Sequence, residues 1–575
     1  MKWHSRISIA LIAAFVAVAC SSAPSVDDSA IQPTEKAGEI AADAQPSEPV
    51  HLRLLAFNDF HGALEGPSGN IMVDGESIEA GGVEYLAAHI DAERQDVEHT
   101  TVVAAGDLIG ASPLVSSLFH DEPTIEALNL AGLDISSVGN HEFDQGVQEL
   151  LRIDAGGCHP EQGCSGDTEF EGTQFKYLAA NVRWRDSGET IMEPYKIREY
   201  GDLRVAYVGM TLENTPQVVV PSAIEDVTFH NEVETVEGLL PELEEQQVNA
   251  IVVVVHEGGS AGSEIRDIGD CPDVTGPVVT MAEEMPEQVV AIVSGHSHIP
   301  YICEFNDRLV TQAASSGRIV TVIDLHIDPE TGEVVEQQAR QRPVTSDIEA
   351  DEDVAELVAT YVERAEPRAN RVVGQITADL PRGPRSEAGE SPIGHLIADA
   401  QLAATADEAG AQIAFMNPGG IRDALSFESG EESREDGSVT YAQLHTIQPF
   451  ANILTTMTLT GEQLHQLLEQ QWQDDSRPHL LAVSTGFSYE WNPEAPRGER
   501  VDPKSITLDG ETIDPQQNYR ITVNNFMADG GDGFTVLTEG TDRVGGIVDL
   551  EALSNYIETH SPIEPSDDTR ARRLD

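Results

Sequence analysis

The chain has 575 residues and a formal net charge of −67, from 100 acidic and 33 basic side chains. Such a surface repels polyanions, which argues against free nucleic acid as a partner of the surface as a whole. The chain is too long for one hydrophobic core, and its 40% of apolar residues suffices for more than one, so we expect two globular domains with appendages.

Residues 1–20 have the pattern of a secretory signal. Two basic residues precede an apolar run at 7–18, which is shorter than the ~20 residues of a membrane-spanning helix. Cys20 follows the small Ala19, and this order resembles the lipobox of bacterial lipoproteins, whose cysteine is lipidated. We therefore expect an exported protein, periplasmic or at the cell surface, that is anchored by lipid to a bacterial membrane. The alternative is ordinary cleavage nearby and a freely soluble exported protein.

Changes in composition divide the rest of the chain into segments. An early stretch is rich in Ser, Ala, Pro and acidic residues without an apolar period, apolar strand-like runs then alternate with amphipathic stretches, and a strongly polar stretch with helical spacing follows. The predicted segments are a disordered tether at 21–49, an α/β domain at 50–345, a connecting helix at 346–370, a second domain at 371–560 and a frayed tail at 561–575.

Buried strands and amphipathic helices are predicted along both domains. The strand-like runs cover residues 52–57, 101–105, 135–138, 251–255 and 289–293. The helix-like stretches cover residues 83–94, 124–131, 232–246 and 393–405.

Each of the strand-like runs is followed by polar residues. These blocks are Asn58-Asp59-Phe60-His61, Gly106-Asp107, Gly139-Asn140-His141-Glu142-Phe143-Asp144, His256, and Gly295-His296-Ser297-His298. Open α/β sheets build their sites at the ends of strands, and these blocks supply enough ligands for two metal ions. Asp, His and Asn ligands without cysteine suit borderline or hard divalent cations such as Zn²⁺ or Mn²⁺.

A lone Asp-x-His or Gly-Asp is more often a turn, whereas the block at 139–144 is far more specific and the block at 295–298 supports it in the same chain order. With these motifs the chain resembles the metallophosphoesterase superfamily and, within it, the 5'-nucleotidase/UDP-sugar hydrolase family, over about residues 50–560. The resemblance implies a four-layer α/β-β/α catalytic domain, a connecting helix and a smaller mixed α/β domain that selects the substrate.

The resemblance also implies how two divalent cations would be held. The first would be bound by Asp59, His61, Asp107 and His298, and the second by Asp107, Asn140, His256 and His296. Asp107, with two oxygens, would bridge them. Two cations about 3.5–4 Å apart can turn water into a nucleophile near neutral pH and hold the oxygens of a displacement at phosphorus.

The resemblance gives His141 and Asp144 the catalytic role. His141 would face the scissile phosphate, where it would stabilise charge or protonate the leaving oxygen. Asp144 would orient the ring and favour the imidazolium. A second role for Asp144, compatible with the first, is the N-cap of a helix over residues 146–152.

The second domain is expected to choose the substrate. In the family it supplies two aromatic rings that hold the base, an acidic residue near the ribose or base, and arginines for phosphate. The matching residues are the rings of Phe450 and Phe526, the acid Asp532, and Asn417 and Arg422 in the motif at 417–422. A second arginine would be Arg382 or Arg385, and the spacing does not decide between them. Either phenylalanine taken alone would be interpreted as core packing.

Four cysteines remain besides Cys20, an even number in an exported chain, so we expect two disulfides. Of the three pairings we prefer Cys158 with Cys164 and Cys271 with Cys303. Zinc binding by these thiols is the alternative, although no CxxC spacing occurs.

The sequence therefore predicts an exported, metal-dependent 5'-nucleotidase that converts nucleoside 5'-monophosphates to nucleoside and phosphate. Nucleoside di- and triphosphates or UDP-sugars would be further substrates. Its partners would be a small-molecule nucleotide and, through the anchor, a membrane. The alternatives are a 2',3'-cyclic-nucleotide 2'-phosphodiesterase/3'-nucleotidase and a non-catalytic nucleotide-binding surface lipoprotein. Because the metals and the base pocket lie on different domains, we also expect hinge motion about residues 346–370.

Overall fold

The computed structural model of the protein describes residues 48–165, 169–219, 221–260, 267–271, 273–383, 390–429, 435–473 and 478–574. The predicted signal, Cys20, nearly all of the tether and Arg385 lie outside these ranges. Within them, no helix has the length and apolar character needed to cross a membrane.

The first domain contains the predicted alternation of strands and helices. Its strands are β1 (Val50–Phe57), β2 (Gly69–Val73), β3 (Glu76–Ala80), β4 (His99–Ala105), β5 (Ile135–Ser137), β6 (Lys176–Leu178), β7 (Val182–Trp184), β8 (Tyr195–Tyr200), β9 (Leu203–Thr211), β10 (Val227–Phe229), β11 (Ala250–His256), β12 (Val289–Ser294), β13 (Tyr301–Phe305), β14 (Arg308–Gln312), β15 (Ile319–Ile327) and β16 (Val334–Pro343). Its helices are α1 (Val83–Arg94), α2 (Leu114–Ser117), α3 (Glu122–Leu130), α4 (Val147–Ala155), α5 (Glu232–Glu245), α6 (Pro277–Glu284) and α7 (Glu352–Ala369). The predicted strand runs are confirmed as β1, β4, β5, β11 and β12, and the helices predicted in this domain as α1, α3 and α5.

Two six-stranded sheets pack face to face in the first domain. Their strand orders are β16-β15-β1-β4-β5-β6 and β13-β14-β12-β11-β9-β8. Side chains alternate between the two faces of each sheet: Leu54 of β1 and Val254 of β11 lie in the core between the sheets. Leu55 packs outward with α1, α3 and α4, and Val253 packs outward with α5 and α6. Burial of each such side chain stabilises the fold by ~1.5–3 kcal/mol. Helices, sheet, sheet and helices thus form four layers, and the predicted α/β-β/α architecture is confirmed.

The connecting helix α7 is part of the helical layer of the first domain. Asp351 caps its N-terminus by accepting the N–H of Val354, and Val358 and Tyr361 are buried in the core with α1 and α3. The Tyr361 hydroxyl donates to Glu126 of α3 at 3.0 Å. A helix predicted from residues 346–370 is therefore present, but it is not a free spacer.

The second domain begins directly after α7. Its strands are β17 (Val372–Gln375), β18 (Ile413–Met416), β19 (Ser438–Thr440), β20 (Ile453–Thr460), β21 (Ala482–Val483), β22 (Phe487–Trp491), β23 (Thr507–Leu508), β24 (Glu511–Thr512), β25 (Asn518–Asn524), β26 (Thr541–Val548) and β27 (Ala571–Arg573). Its helices are α8 (Pro392–Ala409), α9 (Tyr441–Ile447), α10 (Gly461–Glu469), α11 (Asn525–Ala528) and α12 (Asp549–His560). The main sheet has the order β21-β18-β25-β20-β26, and α8 confirms the helix predicted at 393–405.

The end of the chain belongs to the second domain. Strand β27 pairs with β22, and the buried Arg570 forms a bidentate ion pair with Asp399 of α8, with N–O distances of 2.7 and 2.8 Å. Paired fork-to-carboxylate bonds fix both groups in one geometry. The prediction of a frayed tail at 561–575 is therefore wrong for residues 570–573.

The two domains meet along α2. Leu114 is buried in the core of the second domain, in a cluster that includes Val373 and Leu444, and the hydroxyl of Ser117 lies 3.0 Å from Nε2 of His445 in α9. The first domain thus inserts a helix into its neighbour at the end that carries the predicted metal ligands.

Two disulfides lie in the first domain. The structure joins Cys158 to Cys164 and Cys271 to Cys303, and the pairing predicted from the sequence is confirmed. The first closes a short loop after α4, and the second ties residue 271 to β13.

Candidate metal centre

All seven predicted ligands lie together where the carboxyl ends of the two sheets of the first domain meet. Strands β1, β4 and β5 lead into the centre from one sheet, and β11 and β12 from the other. The ligands are Asp59, His61, Asp107, Asn140, His256, His296 and His298. Their polar atoms form two neighbouring clusters.

The first cluster is made by Asp59, His61 and His298. Nδ1 of His61 donates to the carbonyl oxygen of Gly110 at 2.9 Å, so Nε2 is the unprotonated nitrogen, and it faces Nε2 of His298 at 3.2 Å. Nε2 of His298 lies 3.1 Å from an oxygen of Asp59. Burial lowers the pKa of His61 to about 3, which keeps its imidazole neutral and able to bind a cation.

The second cluster contains Asp107, Asn140, His256 and His296. Nδ1 of His256 donates to the carbonyl oxygen of Ala105 at 2.7 Å, which turns Nε2 toward Asp107 at 3.0 Å and toward the amide oxygen of Asn140 at 3.1 Å. Nδ1 of His296 lies 3.1 Å from the same amide oxygen. Burial lowers the pKa of His256, but the charge of Asp107 outweighs burial and raises it to about 10.

Asp107 lies between the clusters. One of its oxygens is 3.0 Å from Nε2 of His256 and 3.8 Å from Nε2 of His61. Burial raises the pKa of Asp107, but His256 and His141 hold it well below its usual range, so the group is a carboxylate. Its position suits a ligand shared by two cations.

The donor set fits two divalent cations. In each cluster, oxygen and nitrogen lone pairs converge at 3.0–3.2 Å, which is favourable only with a positive charge or a proton between them. Imidazole, carboxylate and amide donors suit Zn²⁺ or Mn²⁺. The second nitrogen of His61 and of His256 donates to a backbone carbonyl, the arrangement that commonly orients a metal-binding histidine.

Backbone strain is concentrated at the same residues. Asp59, His61, Asp107, His296 and His298 all have positive φ, between 48° and 71°. Non-glycine residues in this region cost of order 1–3 kcal/mol each and persist only where the surroundings hold them. Gly139 is required for a different reason, since a Cβ there would lie 2.1 Å from an oxygen of Asp107.

Two supporting residues carry no predicted role. Glu142 accepts the backbone N–H groups of Asp107, Leu108 and Gly139 at 2.7–3.0 Å, so one buried carboxylate holds two ligand loops. Asn58 donates to Asp59 at 2.6 Å. Both lie inside the motif blocks, which is the only signal in the sequence, because the backbone donors that Glu142 serves are arranged by the fold.

His141 and Asp144 form a hydrogen-bonded pair beside the ligands. Nδ1 of His141 lies 2.7 Å from Asp144, and its backbone N–H donates to Asp107 at 2.9 Å. Burial lowers the pKa of His141, but Asp144 and Asp107 outweigh burial and raise it to about 9. Helix α4 has Gly146 as its N-cap, without a side-chain bond, so Asp144 does not take the alternative capping role.

The second domain covers this pair. The ring of Phe450 stacks on His141 with centroids 5.7 Å apart and planes 10° from parallel, and the guanidinium of Arg422 lies 5.6 Å from the centroid of the Phe450 ring. Burial and the nearby Arg382 lower the pKa of Arg422, while Asp144 and Asp107 act to raise it. In the described part of the chain neither Arg422 nor Arg382 forms an ion pair, and the Arg422 guanidinium is near enough to Asp144 and Asp107 to feel their charges.

The other predicted substrate residues lie in the second domain with different partners. Nδ2 of Asn417 donates to Asp532 at 2.7 Å, so Asn417 fixes that carboxylate. The ring of Phe526 covers Gly531, where a Cβ would meet it at 2.5 Å, and it packs on the domain core. Phe526 makes no ring contact with Phe450 in the ranges that the structure describes. A cavity of about 400 Å³ between the domains is lined by Asp144, Phe450 and Asn525 among others.

The sequence of both domains matches known protein-family models. Residues 52–300 match the family model for calcineurin-like phosphoesterases, and residues 372–539 match the model for the 5'-nucleotidase C-terminal domain. The chain belongs to the calcineurin-like phosphoesterases that carry a 5'-nucleotidase C-terminal domain. This family indicates a metal-dependent phosphoesterase, in agreement with the ligand clusters.

Relatives of this phosphoesterase align over most of its length. Endonuclease YhcR of Bacillus subtilis is 34% identical over 548 residues, 94% of this chain, and the chain spans 42% of YhcR. The 5'-nucleotidase of Vibrio vulnificus is 26% identical over 605 residues and 98% of each chain. The crystal structure of the 5'-nucleotidase precursor from Thermus thermophilus is similar with a TM-score of 0.71 and 26% identity, over 91% of this chain and 99% of that one.

Proposed function

We propose that this phosphoesterase is an exported 5'-nucleotidase that uses two divalent cations to release phosphate from nucleoside 5'-monophosphates. The observation that carries the proposal is the position of Phe450 and Arg422 of the second domain over His141, beside the ligand clusters. An aromatic face and a free guanidinium are the groups needed to bind a base and a phosphate. The near full-length similarity to a 5'-nucleotidase of Vibrio vulnificus supports the same substrate.

The proposed ligands are Asp59, His61, Asp107 and His298 for one cation and Asp107, Asn140, His256 and His296 for the other. When bound, the two cations supply a nucleophile at neutral pH and charge stabilisation at phosphorus. Asp107, buried and ionised, would be shared by the two sites.

The catalytic residue on the protein side would be His141. Asp144 holds Nδ1 of its ring, so Nε2 is the nitrogen left to face the phosphate. From there it would stabilise negative charge or give its proton to the leaving oxygen of the ribose, a contribution of about 10²–10⁴-fold.

The second domain would bind the rest of the nucleotide. Arg422 and either Arg382 or Arg385 would hold the phosphate. Phe450 and Phe526 would stack on the base, and Asp532, fixed by Asn417, would accept from the ribose or base. Arg422 bonds to Gly419 and Arg382 to the carbonyl oxygen of residue 422, both at 3.4 Å, so both side chains are held only weakly. Stacking contributes ~1–3 kcal/mol per base and tolerates base identity, so broad nucleotide acceptance is expected, including di- and triphosphates or UDP-sugars.

The deciding experiment is phosphate release from a matched panel of nucleotides. We expect 5'-AMP to be hydrolysed with Mn²⁺ or Zn²⁺ present, activity to vanish with a chelator, and 3'-AMP and 2',3'-cyclic AMP to be poorer substrates. A preference for the last two would assign the chain as a 2',3'-cyclic-nucleotide 2'-phosphodiesterase/3'-nucleotidase instead. No release from any of them with either metal would leave a non-catalytic nucleotide-binding protein.

Export and lipid anchoring at Cys20 are part of the proposal. Their support is the basic and apolar pattern of residues 1–18 followed by Ala19 and Cys20. Metabolic labelling with a radioactive fatty acid should label the full chain, and the variant Cys20→Ala should not be labelled. Equal labelling of both would remove the assigned anchor.

A further inference from the structure

The loop that carries Phe450 is short and strained. We call residues 448–452 the platform loop; it joins α9 to β20. Within it Phe450 is half-buried on His141, and the exposed Ala451 has a φ of +52°, an unfavourable left-handed conformation for a residue with a Cβ. A loop in this conformation needs support from outside itself.

That support comes from Asp549, the first residue of α12, which is 1% exposed. Its backbone N–H donates to the carbonyl oxygen of Asn452 at 2.8 Å. Its carboxylate accepts the N–H of Leu550 at 2.8 Å, and polar groups of Asn452 act to lower the pKa of the carboxyl. Nε2 of Gln448 lies 3.5 Å from the second oxygen. One buried carboxylate therefore reaches both ends of the platform loop.

The carboxylate of Asp549 lies near hydrogen-bond donors, and in the described part of the chain no cationic side chain forms an ion pair with it. Burial raises its pKa to about 7, and the groups that act against burial are the donors of Leu550 and Asn452. The titratable groups of the elements packed nearby include Asp399 of α8, His445 of α9 and Glu551 of its own helix.

We infer that Asp549 is a positioning residue for nucleotide binding, which acts by holding the platform loop so that the ring of Phe450 keeps its place over His141. The inference rests on the proposed function, because it assumes that Phe450 stacks on the base. Asp549 lies 101 residues from Gln448 in the chain and contacts none of the metal ligands or the catalytic pair in the described structure.

The variant Asp549→Asn tests the inference with little change in shape. An amide turns an NH₂ group toward donors that need an acceptor, so the platform loop keeps the backbone bond to residue 549 but loses the support of the carboxylate. We expect KM for 5'-AMP to rise about tenfold while kcat stays within about twofold of the parent. KM for p-nitrophenyl phosphate, which has no base, should not change. The exposed Glu551→Gln, which removes the same charge from the first turn of the same helix, should leave both values unchanged.

The pH dependence separates positioning from general destabilisation. Asp549 is neutral, like the amide, below its raised pKa and charged above it. The ratio of the variant's KM for 5'-AMP to that of the parent should be close to one at pH about 5.5 and reach its full value above pH about 8. Titration of the substrate and of the metal centre cancels in this ratio.

A double variant shows whether Asp549 acts through Phe450. Phe450→Ala alone should raise KM for 5'-AMP, and Asp549→Asn should add nothing further in that background. The inference is overturned if Asp549→Asn raises KM for p-nitrophenyl phosphate equally, if the two effects add, or if only Phe450→Ala has an effect. If Phe450→Ala leaves KM for 5'-AMP unchanged, the proposed base stacking fails first, and the role of Asp549 fails with it.

Discussion

The proposed metal-ligand clusters and the proposed substrate-facing groups are built in opposite ways. The ligands sit at the ends of strands from two packed sheets, and second hydrogen bonds fix His61 and His256 from behind. Phe450 and Arg422 lie on loops of the other domain, and their place over His141 depends on how the domains meet. Under the proposed function, the first domain therefore holds the reacting groups rigidly, whereas the groups that choose the substrate depend on a few contacts and are easier to change.

The variant His141→Ala should have the largest effect, because it removes the proposed catalytic side chain and leaves the proposed metal ligands in place. We expect kcat to fall by about 10²–10⁴-fold with bound metal unchanged, measured by phosphate release and by metal analysis of the purified protein. His326→Ala is the matched control, since His326 stacks on His51 near the start of β1, away from the ligand end. An unchanged rate would remove the role assigned to His141.

The variant Glu142→Gln tests the rigidity of the first domain. Its amide can keep one oxygen as the common acceptor for the N–H groups of Asp107 and Gly139, but it would turn NH₂ toward the N–H of Leu108, so the loop of Asp107 would lose one of its two bonds to residue 142. Groups that orient metal ligands typically account for 10–100-fold in metal affinity, and we expect a loss of that order in a metal titration. The exposed Glu79→Gln is the control. Unaltered metal affinity would mean that the ligand loops keep their conformation without Glu142.

Sequence patterns predict those parts of the structure that depend on residues close together in the chain. The ligands follow apolar runs directly, so their strands, their order and the four-layer fold could be predicted. The bonds of Glu142 to Asp107 span 35 residues, and the platform loop lies 101 residues from Asp549, so no local pattern encodes either contact. The packing of α7 into the first domain likewise depends on contacts between distant residues, such as Tyr361 and Glu126, and has no local sequence pattern.

Errors at the second domain have a similar cause. Strand β27 was predicted as part of a frayed tail because three residues carry no periodic signal, and its order comes from β22 and from the pair of Arg570 with Asp399. Phe450 and Phe526 look alike in sequence, yet one stacks on His141 and the other covers Gly531. The stacking partner of an aromatic ring is set by tertiary structure.

The arginines test how much of substrate binding the second domain carries. Arg422→Ala should raise KM for 5'-AMP about tenfold, because a bond from a charged donor to phosphate is lost, and Arg382→Ala should have a smaller effect since its side chain is exposed. Arg520→Ala, remote in the sheet of the same domain, is the control. A larger effect of Arg382→Ala would reverse the assignment of the main phosphate contact.

The smallest effect is expected from the contact between the domains, and it tests whether they move. Because α7 is packed into the first domain, a hinge between the domains would have to lie at residues 370–371, directly after this helix. The Ser117–His445 bond would then form only when the domains are closed. Burial lowers the pKa of His445 to about 4, so this bond is between neutral groups near neutral pH.

If opening of the domains limits turnover, Ser117→Ala should raise both kcat and KM for 5'-AMP about two- to threefold, because it removes one neutral hydrogen bond from the closed form only. Ser488→Ala removes a comparable bond to Thr507 inside the second domain and should change neither constant. A lower melting temperature with unchanged kcat and KM would show that the contact only stabilises the fold. The domains would then act as one rigid body, and the platform loop alone would have to admit the base.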